Sequence, residues 1–203
     1  MAICALPARV WCLSNLRVIA GTARGQNLSA VPGDTTRPIT DRVKESLFNI
    51  VSVDIREAAL LDLFAGTGAV GIEALSRGAA WVRFIDREHL AIQTVRKNLQ
   101  RTKLADRAEV LQMDAFAALE RVSERRFDYV YIAPPQYKGI WKKALNKVDA
   151  RTSLLNQFAW VIVQIDPVED EPIELKNLEE FDRRRYGSTL LIFYVLATSR
   201  SVT

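Results

Sequence analysis

The sequence predicts an α/β fold in which helices cover both faces of a mostly parallel sheet. Short apolar runs without polar alternation recur from residue 60 onward, and such runs are typical of strands buried on both faces. Stretches with helical periodicity separate the early runs. A glycine-rich loop joins the first run to the first of these helices, at the place where open α/β sheets bind their ligands.

Six apolar segments are predicted as strands of this sheet. They are Leu60–Phe64, Trp81–Ile85, Val110–Met113, Tyr129–Ile132, Trp160–Ile165 and Leu190–Leu196. Apolar residues spaced by three or four positions predict the helices between them. These helices are Ala69–Arg77, Glu88–Arg101, Ala115–Arg121, Tyr137–Lys147 and Thr152–Gln157.

The chain is predicted to form a single domain with an N-terminal appendage. Its 203 residues, 49% of them hydrophobic, are sufficient for one sizeable core. Residues 1–15 lack the basic start and cleavage pattern of a signal peptide and are interpreted as a poorly ordered extension. The domain is assigned to residues 16–203, with the appendage over 16–56 and the α/β core over 57–203.

Two elements are predicted within the appendage. The β-prone stretches Leu16–Ala20 and Asn27–Val31 surround two glycines and predict a β-hairpin. Asp41 is then predicted to cap a helix that ends near Val53.

Composition excludes several classes of protein. The formal net charge of +4 is a mild basic bias, which permits a nucleic-acid partner without requiring one. With His89 as the single histidine, and Cys4 and Cys12 as the only cysteines, we expect no metal site and no disulfide framework. This cysteine usage suits a reducing, cytoplasmic location. No apolar run approaches the ~20 residues of a membrane span, so we expect no membrane association.

The glycine-rich loop is the first candidate binding element. Residues 66–71 read Gly-Thr-Gly-Ala-Val-Gly between a predicted strand and a predicted helix. Gly66 and Gly68 allow a tight turn and close approach of a ligand to the backbone, and Gly71 allows the helix to pack against the sheet. The pattern alone fits nicotinamide and flavin sites as well as S-adenosylmethionine sites.

Acidic residues at three strand ends favour S-adenosylmethionine. Asp62 lies just before the glycine turn, where a diphosphate would be repelled but an ammonium group would be paired. Asp86 can accept hydrogen bonds from both ribose hydroxyls, and Asp114 can contact the adenine edge. The alternatives are a turn-bracing Asp62, a solvated Asp86 and a helix-capping Asp114. The predicted cofactor-binding residues are Asp62, Phe64, Ala65, Gly66, Thr67, Gly68, Asp86, Arg87, Asp114 and Ala115.

The order of these motifs, followed by Ala133-Pro134-Pro135-Gln136-Tyr137, resembles the Rossmann-like class I methyltransferases. More closely, the chain resembles the bacterial family that methylates the exocyclic N2 of a guanine in small-subunit (16S) ribosomal RNA. The stretch Arg37-Pro38-Ile39-Thr40-Asp41-Arg42-Val43 is the specific part, since generic class I enzymes lack it. The resemblance runs from Leu16 to about Leu196. It implies S-adenosylmethionine as cofactor and a seven-stranded, mostly parallel sheet whose last strand, Thr189–Ala197, runs antiparallel beside a strand near Leu178–Asp182.

The predicted catalytic segment departs from the family pattern. The family has Asp or Asn, two prolines and an aromatic residue, whereas Ala133 replaces the acid here and the aromatic residue comes one place late. The remaining acceptors for the target amine are backbone carbonyls and the Gln136 amide, and Tyr137 can stack on the base. The alternative is an ordinary rigid turn. The predicted catalytic residues are Ala133, Pro134, Pro135, Gln136 and Tyr137.

Basic residues concentrated in the appendage predict an RNA-contacting surface. The residues expected to contact the substrate are Arg37, Thr40, Arg42 and Lys44. Arg183, Arg184 and Arg185 form a second basic run, interpreted as a solvated face. The predicted partner is ribosomal RNA or the small-subunit particle.

Three alternatives stay open for the function. The first is an RNA-binding protein of the methyltransferase fold with weak or no activity. The second is an amine methyltransferase acting on DNA or protein. The third is a nicotinamide-dependent oxidoreductase.

Overall fold

The fold is described from a computed structural model of the chain. The described residues are 16–33, 39–121, 125–136 and 139–197. The predictions for residues 1–15, for Arg37 and for Tyr137 lie outside these residues.

Among the described residues, seven strands form one sheet in the order β3-β2-β1-β4-β5-β7-β6. The strands are β1 (Ala59–Asp62), β2 (Trp81–Asp86), β3 (Ala108–Gln112), β4 (Phe127–Ile132), β5 (Leu155–Ile165), β6 (Leu178–Tyr186) and β7 (Thr189–Leu196). β1 to β5 run parallel, and β7 runs antiparallel to both of its neighbours. This confirms the predicted mostly parallel sheet. Strand order reverses between β1 and β4, which creates the crevice where such sheets bind ligands.

In the described part of the chain, five α-helices cover the two faces of the sheet. They are α1 (Asp41–Val51), α2 (Ala69–Ser76), α3 (His89–Thr102), α4 (Ala115–Glu120) and α5 (Ile140–Asp149). Consecutive strand residues are buried on opposite faces. Leu60 belongs to the core under α1, α2 and α3, while Leu61 belongs to the core under α4 and α5. Burial on both faces explains why the strands show little polar alternation.

The N-terminal appendage is attached to α2 through a buried carboxylate. Glu73 accepts hydrogen bonds from the backbone N–H groups of Ile19, at 2.8 Å, and Ala20, at 3.0 Å. It also pairs with Arg77, at 2.8 Å, and its second oxygen lies 3.6 Å from the Lys44 Nζ of α1. One side chain therefore connects two parts of the appendage, residues 16–33 and α1, to α2.

Two local predictions are wrong, and a third holds in part. The predicted hairpin over residues 16–31 is a short antiparallel pairing: Arg17 and Asn27 form a β-bridge, flanked by hydrogen bonds from Val18 N to the Gln26 carbonyl and from Leu28 N to the Leu16 carbonyl. The segment also bonds to α2 and α3. Thr40, not Asp41, caps α1: its Oγ1 accepts from Val43 N, and the helix ends at Val51 before a 3₁₀ turn. The predicted helix Thr152–Gln157 is a 3₁₀ turn over Thr152–Leu154, because Leu155 already pairs with β4.

Candidate cofactor and substrate site

The candidate site lies at the carboxyl edge of β1 and β4, where the strand order reverses. Asp62, the last residue of β1, is level with Phe84 of β2 and Tyr131 of β4. Beyond it, Leu63 N donates to the Tyr131 carbonyl at 3.1 Å, and Ala65 N donates to the Ile85 carbonyl at 2.9 Å. The glycine loop therefore leaves the sheet with its start fixed to both neighbouring strands.

The three glycines of this loop have different roles. Gly66 and Gly68 adopt left-handed φ values of 52° and 77°, which favour glycine. A Cβ on Gly66 would meet no atom within 4 Å, so the backbone there faces open space. A Cβ on Gly71 would lie 2.3 Å from the Phe84 ring. This confirms that Gly71 permits α2 to pack on the sheet.

Asp62 is a buried carboxylate that lacks part of its hydrogen bonding. Its side chain is 2% exposed. The backbone N–H groups of Phe64 and Gly71 donate to the carboxylate, but Oδ1 has no partner among the described residues. Burial, reinforced by the charge of Asp86, raises the pKa of Asp62 to about 7. A ligand cation placed against Oδ1 would supply the missing partner.

Asp86 and Asp114 hold the backbone around the site. Asp86 Oδ2 accepts from Gly66 N at 2.8 Å, and its Oδ1 accepts from Glu88 N at 2.9 Å. Asp86 therefore braces the glycine loop and is more than a solvated strand end. Asp114 Oδ1 accepts from Phe116 N and Ala117 N, which confirms its capping of α4.

The other predicted cofactor-binding residues surround the same edge of the sheet. Ala65 and Ala115 are buried, Phe64 is half-buried against the core under α4 and α5, and the exposed Arg87 pairs with Glu88. Thr67 lies at the middle of the loop, and its carbonyl accepts a hydrogen bond from α3.

Asn98, the donor to Thr67, is a residue that the sequence analysis missed. It is 0% exposed, and its Nδ2 donates to the carbonyls of Thr67, at 2.9 Å, and Ser29, at 3.0 Å. Its Oδ1 accepts from Ser29 N at 2.8 Å. Asn98 thus connects the glycine loop to the appendage. The signal in the sequence is an amide between Val95 and Thr102 on the buried face of α3.

The predicted catalytic turn follows β4 directly, beside the end of β1. Ala133, Pro134 and Pro135 are half-buried, and Gln136 is exposed. Ala133 packs against the core under α1, α2 and α3. Because β1 and β4 are adjacent parallel strands, the turn and the glycine loop leave the sheet at the same edge. Position 133 offers no side-chain acceptor there.

The appendage presents only part of its predicted RNA surface. Arg42 is exposed on α1, and the Thr40 hydroxyl caps that helix. Lys44 is 0% exposed: its Nζ donates to the Arg17 carbonyl and pairs with Glu73. Burial lowers the pKa of Lys44 even though Glu73 opposes the shift. The prediction that Lys44 contacts RNA is wrong, because the folded chain encloses its ammonium.

The basic run on β6 is occupied by internal ion pairs. Arg183 pairs with Glu180 and Asp170, and Arg184 pairs with Asp182. Within the part of the chain that the structure describes, no cluster of side chains could hold a metal ion, and no helix is long and apolar enough to cross a bilayer.

Comparisons with known sequences agree with this arrangement. The sequence pattern of the family described as conserved hypothetical protein 95 matches residues 16–195. A Bacillus subtilis protein, provisionally described as an rRNA methyltransferase, is 38% identical over 181 residues, which cover 88% of this chain and 98% of that protein. Ribosomal RNA small subunit methyltransferase D of Haemophilus influenzae is 33% identical over 164 residues, which cover 78% of this chain and 81% of that protein.

A solved structure shows the same relationship. An Escherichia coli protein, provisionally described as a methyltransferase, superposes with a TM-score of 0.79 at 32% identity, over 89% of this chain and 97% of that one. By the family match and these relatives, the chain belongs to the conserved hypothetical protein 95 family, the family of the small-subunit ribosomal RNA methyltransferases D.

Proposed function

We propose that this chain transfers the methyl group of S-adenosylmethionine to the exocyclic N2 of a guanine in small-subunit ribosomal RNA. The observation that supports this best is the buried Asp62 carboxylate with its unpartnered oxygen, at the edge of the sheet where the glycine loop and the Pro134-Pro135 turn leave β1 and β4. Family membership supports the substrate class, since the relatives are named as ribosomal RNA methyltransferases.

The residues present fit the cofactor. Asp62 Oδ1 would pair with the ammonium of its aminoacyl part, and the open space over Gly66 would admit that part close to the backbone. Asp86 would accept from the ribose hydroxyls while it continues to brace the loop, and Asp114 would lie near the adenine. When bound, S-adenosylmethionine supplies a methyl group on an activated sulfonium.

Catalysis at this turn would depend mainly on positioning. The lone pair of an aryl amine is delocalised into the ring, so acceptors for its protons make the nitrogen more nucleophilic. With Ala133 in place of an acid, those acceptors are the carbonyls of Ala133 and Pro134 and the Gln136 amide. Tyr137 would stack on the extruded base. Holding the amine in line with the methyl group would supply much of the remaining rate.

A methyl-transfer assay tests the proposal. The protein is incubated with labelled S-adenosylmethionine and either naked small-subunit ribosomal RNA or small-subunit particles, and the methylated nucleotide is mapped. We expect N2-methylguanine, with the particle as the better substrate if assembled rRNA positions the base. Label on another base, or only on DNA or protein, would contradict the proposal.

Ala133 favours one second candidate, a cofactor- and RNA-binding protein without turnover. Single-turnover rates of the wild type, Ala133→Asp and Gln136→Ala separate the two. If carbonyl acceptors limit an active enzyme, Ala133→Asp should raise the rate, because one preorganised hydrogen bond is worth on the order of 3 kcal/mol in a transition state. If Gln136 is the acceptor, Gln136→Ala should abolish activity and Ala133→Asp should help little. A wild type that binds both ligands and methylates nothing supports the second candidate.

A further inference from the structure

The outer face of α3 carries a row of cations uninterrupted by acids. No Asp or Glu occurs from His89 to Lys103. The exposed side chains on this face are Gln93, Arg96, Lys97, Gln100, Arg101 and Lys103, which we call the α3 stripe. In contrast to the run on β6, none of its cations forms an ion pair with a carboxylate among the described residues.

The stripe has fixed neighbours on both sides. Arg96 donates to the Val110 carbonyl of β3 at 3.3 Å. Arg101 donates to the Asn27 carbonyl of the appendage at 3.0 Å, next to the segment that Asn98 holds. The stripe therefore adjoins the appendage at Asn27.

The stripe also leads toward the candidate site. α3 begins at His89, three residues after Asp86, at the carboxyl edge of the sheet. With a rise of 1.5 Å per residue, Arg96 lies about 10 Å along the helix from that edge, and Lys103 about 10 Å farther. One nucleic-acid strand could cover this span while its target base enters the site.

We propose that the α3 stripe binds RNA phosphates and holds the substrate across α3 and the appendage. This rests on the proposed function for the identity of the RNA. Cations that lack a carboxylate partner, interleaved with amides, match the charge and hydrogen-bond acceptors of a phosphate backbone. A membrane surface is a poorer match for α3. A helix that lies in the lipid interface needs its apolar face free, and the apolar face of α3 is buried in the core.

The test compares two triple variants with the same loss of charge. The first, Arg96→Gln, Lys97→Gln and Lys103→Gln, removes three stripe cations. The control, Arg121→Gln, Arg126→Gln and Lys176→Gln, removes three exposed cations outside α3 and the appendage. Both lower the net charge from +4 by three, so a difference between them reflects position. Arg101 is left intact because it fastens the appendage.

Binding to a small-subunit ribosomal RNA transcript is measured from 50 to 300 mM salt, with thermal stability and cofactor affinity as checks on folding. Each lost phosphate contact lowers the slope of log K against log salt by about 0.7, so three contacts weaken binding on the order of 100-fold at about 0.1 M salt. We expect this loss for the stripe variant and a much smaller one for the control. In turnover assays, the KM for RNA should rise while kcat changes little.

Equal losses in the two variants would overturn the proposal, as would an unchanged salt slope in a folded stripe variant. A stripe variant that binds the transcript normally but methylates particles poorly would also overturn it, and would indicate a protein partner. The proposed function fails separately: a wild type that shows the stripe-dependent slope but transfers no methyl group refutes the activity and leaves the RNA surface standing.

Discussion

Replacing Asp62 with asparagine should stabilise the protein at alkaline pH while it weakens cofactor binding. The carboxyl is 2% exposed, and its pKa rises from 3.8 to about 7, chiefly through burial and secondarily through the charge of Asp86. Asparagine has the same shape and can still accept from the N–H groups of Phe64 and Gly71. It removes the charge that burial destabilises.

The sign of the pH dependence follows from the raised pKa. Below about pH 4 both the folded and the unfolded chain carry the proton, so Asp62 has no effect on stability. Between about pH 4 and 7 the unfolded chain loses its proton first, so the stability of the wild type falls by about 1.4 kcal/mol per pH unit. Above about pH 7 the full loss, on the order of 4 kcal/mol, is present. The NH2 group of the asparagine has no acceptor at the position of Oδ1. This lowers the stability of the variant by about 1–3 kcal/mol at every pH.

Thermal unfolding at pH 5 and pH 8 measures this effect. Between these values the stability difference between Asp62→Asn and the wild type should grow by on the order of 3 kcal/mol, which corresponds to roughly 6–12 °C in Tm for a chain of this size. Asp106→Asn, an exposed change of the same charge, should show no such growth. Cofactor affinity should fall by about 10- to 100-fold, as expected for a lost charged hydrogen bond. A Tm difference that is the same at both pH values would refute the reasoning.

Two further substitutions test the frame of the site. Gly71→Ala should lower the free energy of unfolding by about 1–3 kcal/mol in denaturant titrations, because the added Cβ would lie 2.3 Å from the Phe84 ring. If the substitution is neutral, α2 can shift away from the sheet freely. Asn98→Ala removes three buried hydrogen bonds and should cost about 3 kcal/mol. It should also weaken cofactor binding measured by calorimetry, since Thr67 loses its partner, and unchanged affinity in a destabilised variant would make Asn98 merely structural.

Strands and the glycine loop could be predicted because their signals are local. A strand buried on both faces must be apolar throughout, and a turn with left-handed φ values favours glycine, as at Gly66 and Gly68. The secondary-structure predictions failed where a partner distant in the sequence determines the local structure. The segment 152–157 has helical propensity, but Leu155 pairs with Phe127 of β4 and continues the sheet. Pairing across the sheet outweighs local preference at such a boundary.

The appendage shows the same limit more strongly. Its β-prone stretches pair with each other only around the bridge between Arg17 and Asn27, and they also bond to Glu73 and Asn98 on two helices. The concentration of basic residues in the appendage predicts that Lys44 contacts RNA, yet Glu73, far away in the sequence, provides the partner that permits its burial. Nothing local in the sequence shows which groups will pair with each other. An amide or a carboxylate on an otherwise apolar helix face does show that a buried polar partner is needed there.

The site has two halves, the glycine loop and the turn at Ala133. The buried residues Glu73 and Asn98 determine how the first of these is held relative to the appendage. Glu73 lies on the helix that follows the glycine loop, and Asn98 bonds to that loop directly, so the loop and the appendage are held by the same two helices. The turn at Ala133 lies across the strand-order reversal and is positioned by β4. RNA held on the appendage and the α3 stripe would therefore be held on the cofactor's half of the site. Substitutions that loosen the appendage should disturb cofactor binding before they disturb the catalytic turn.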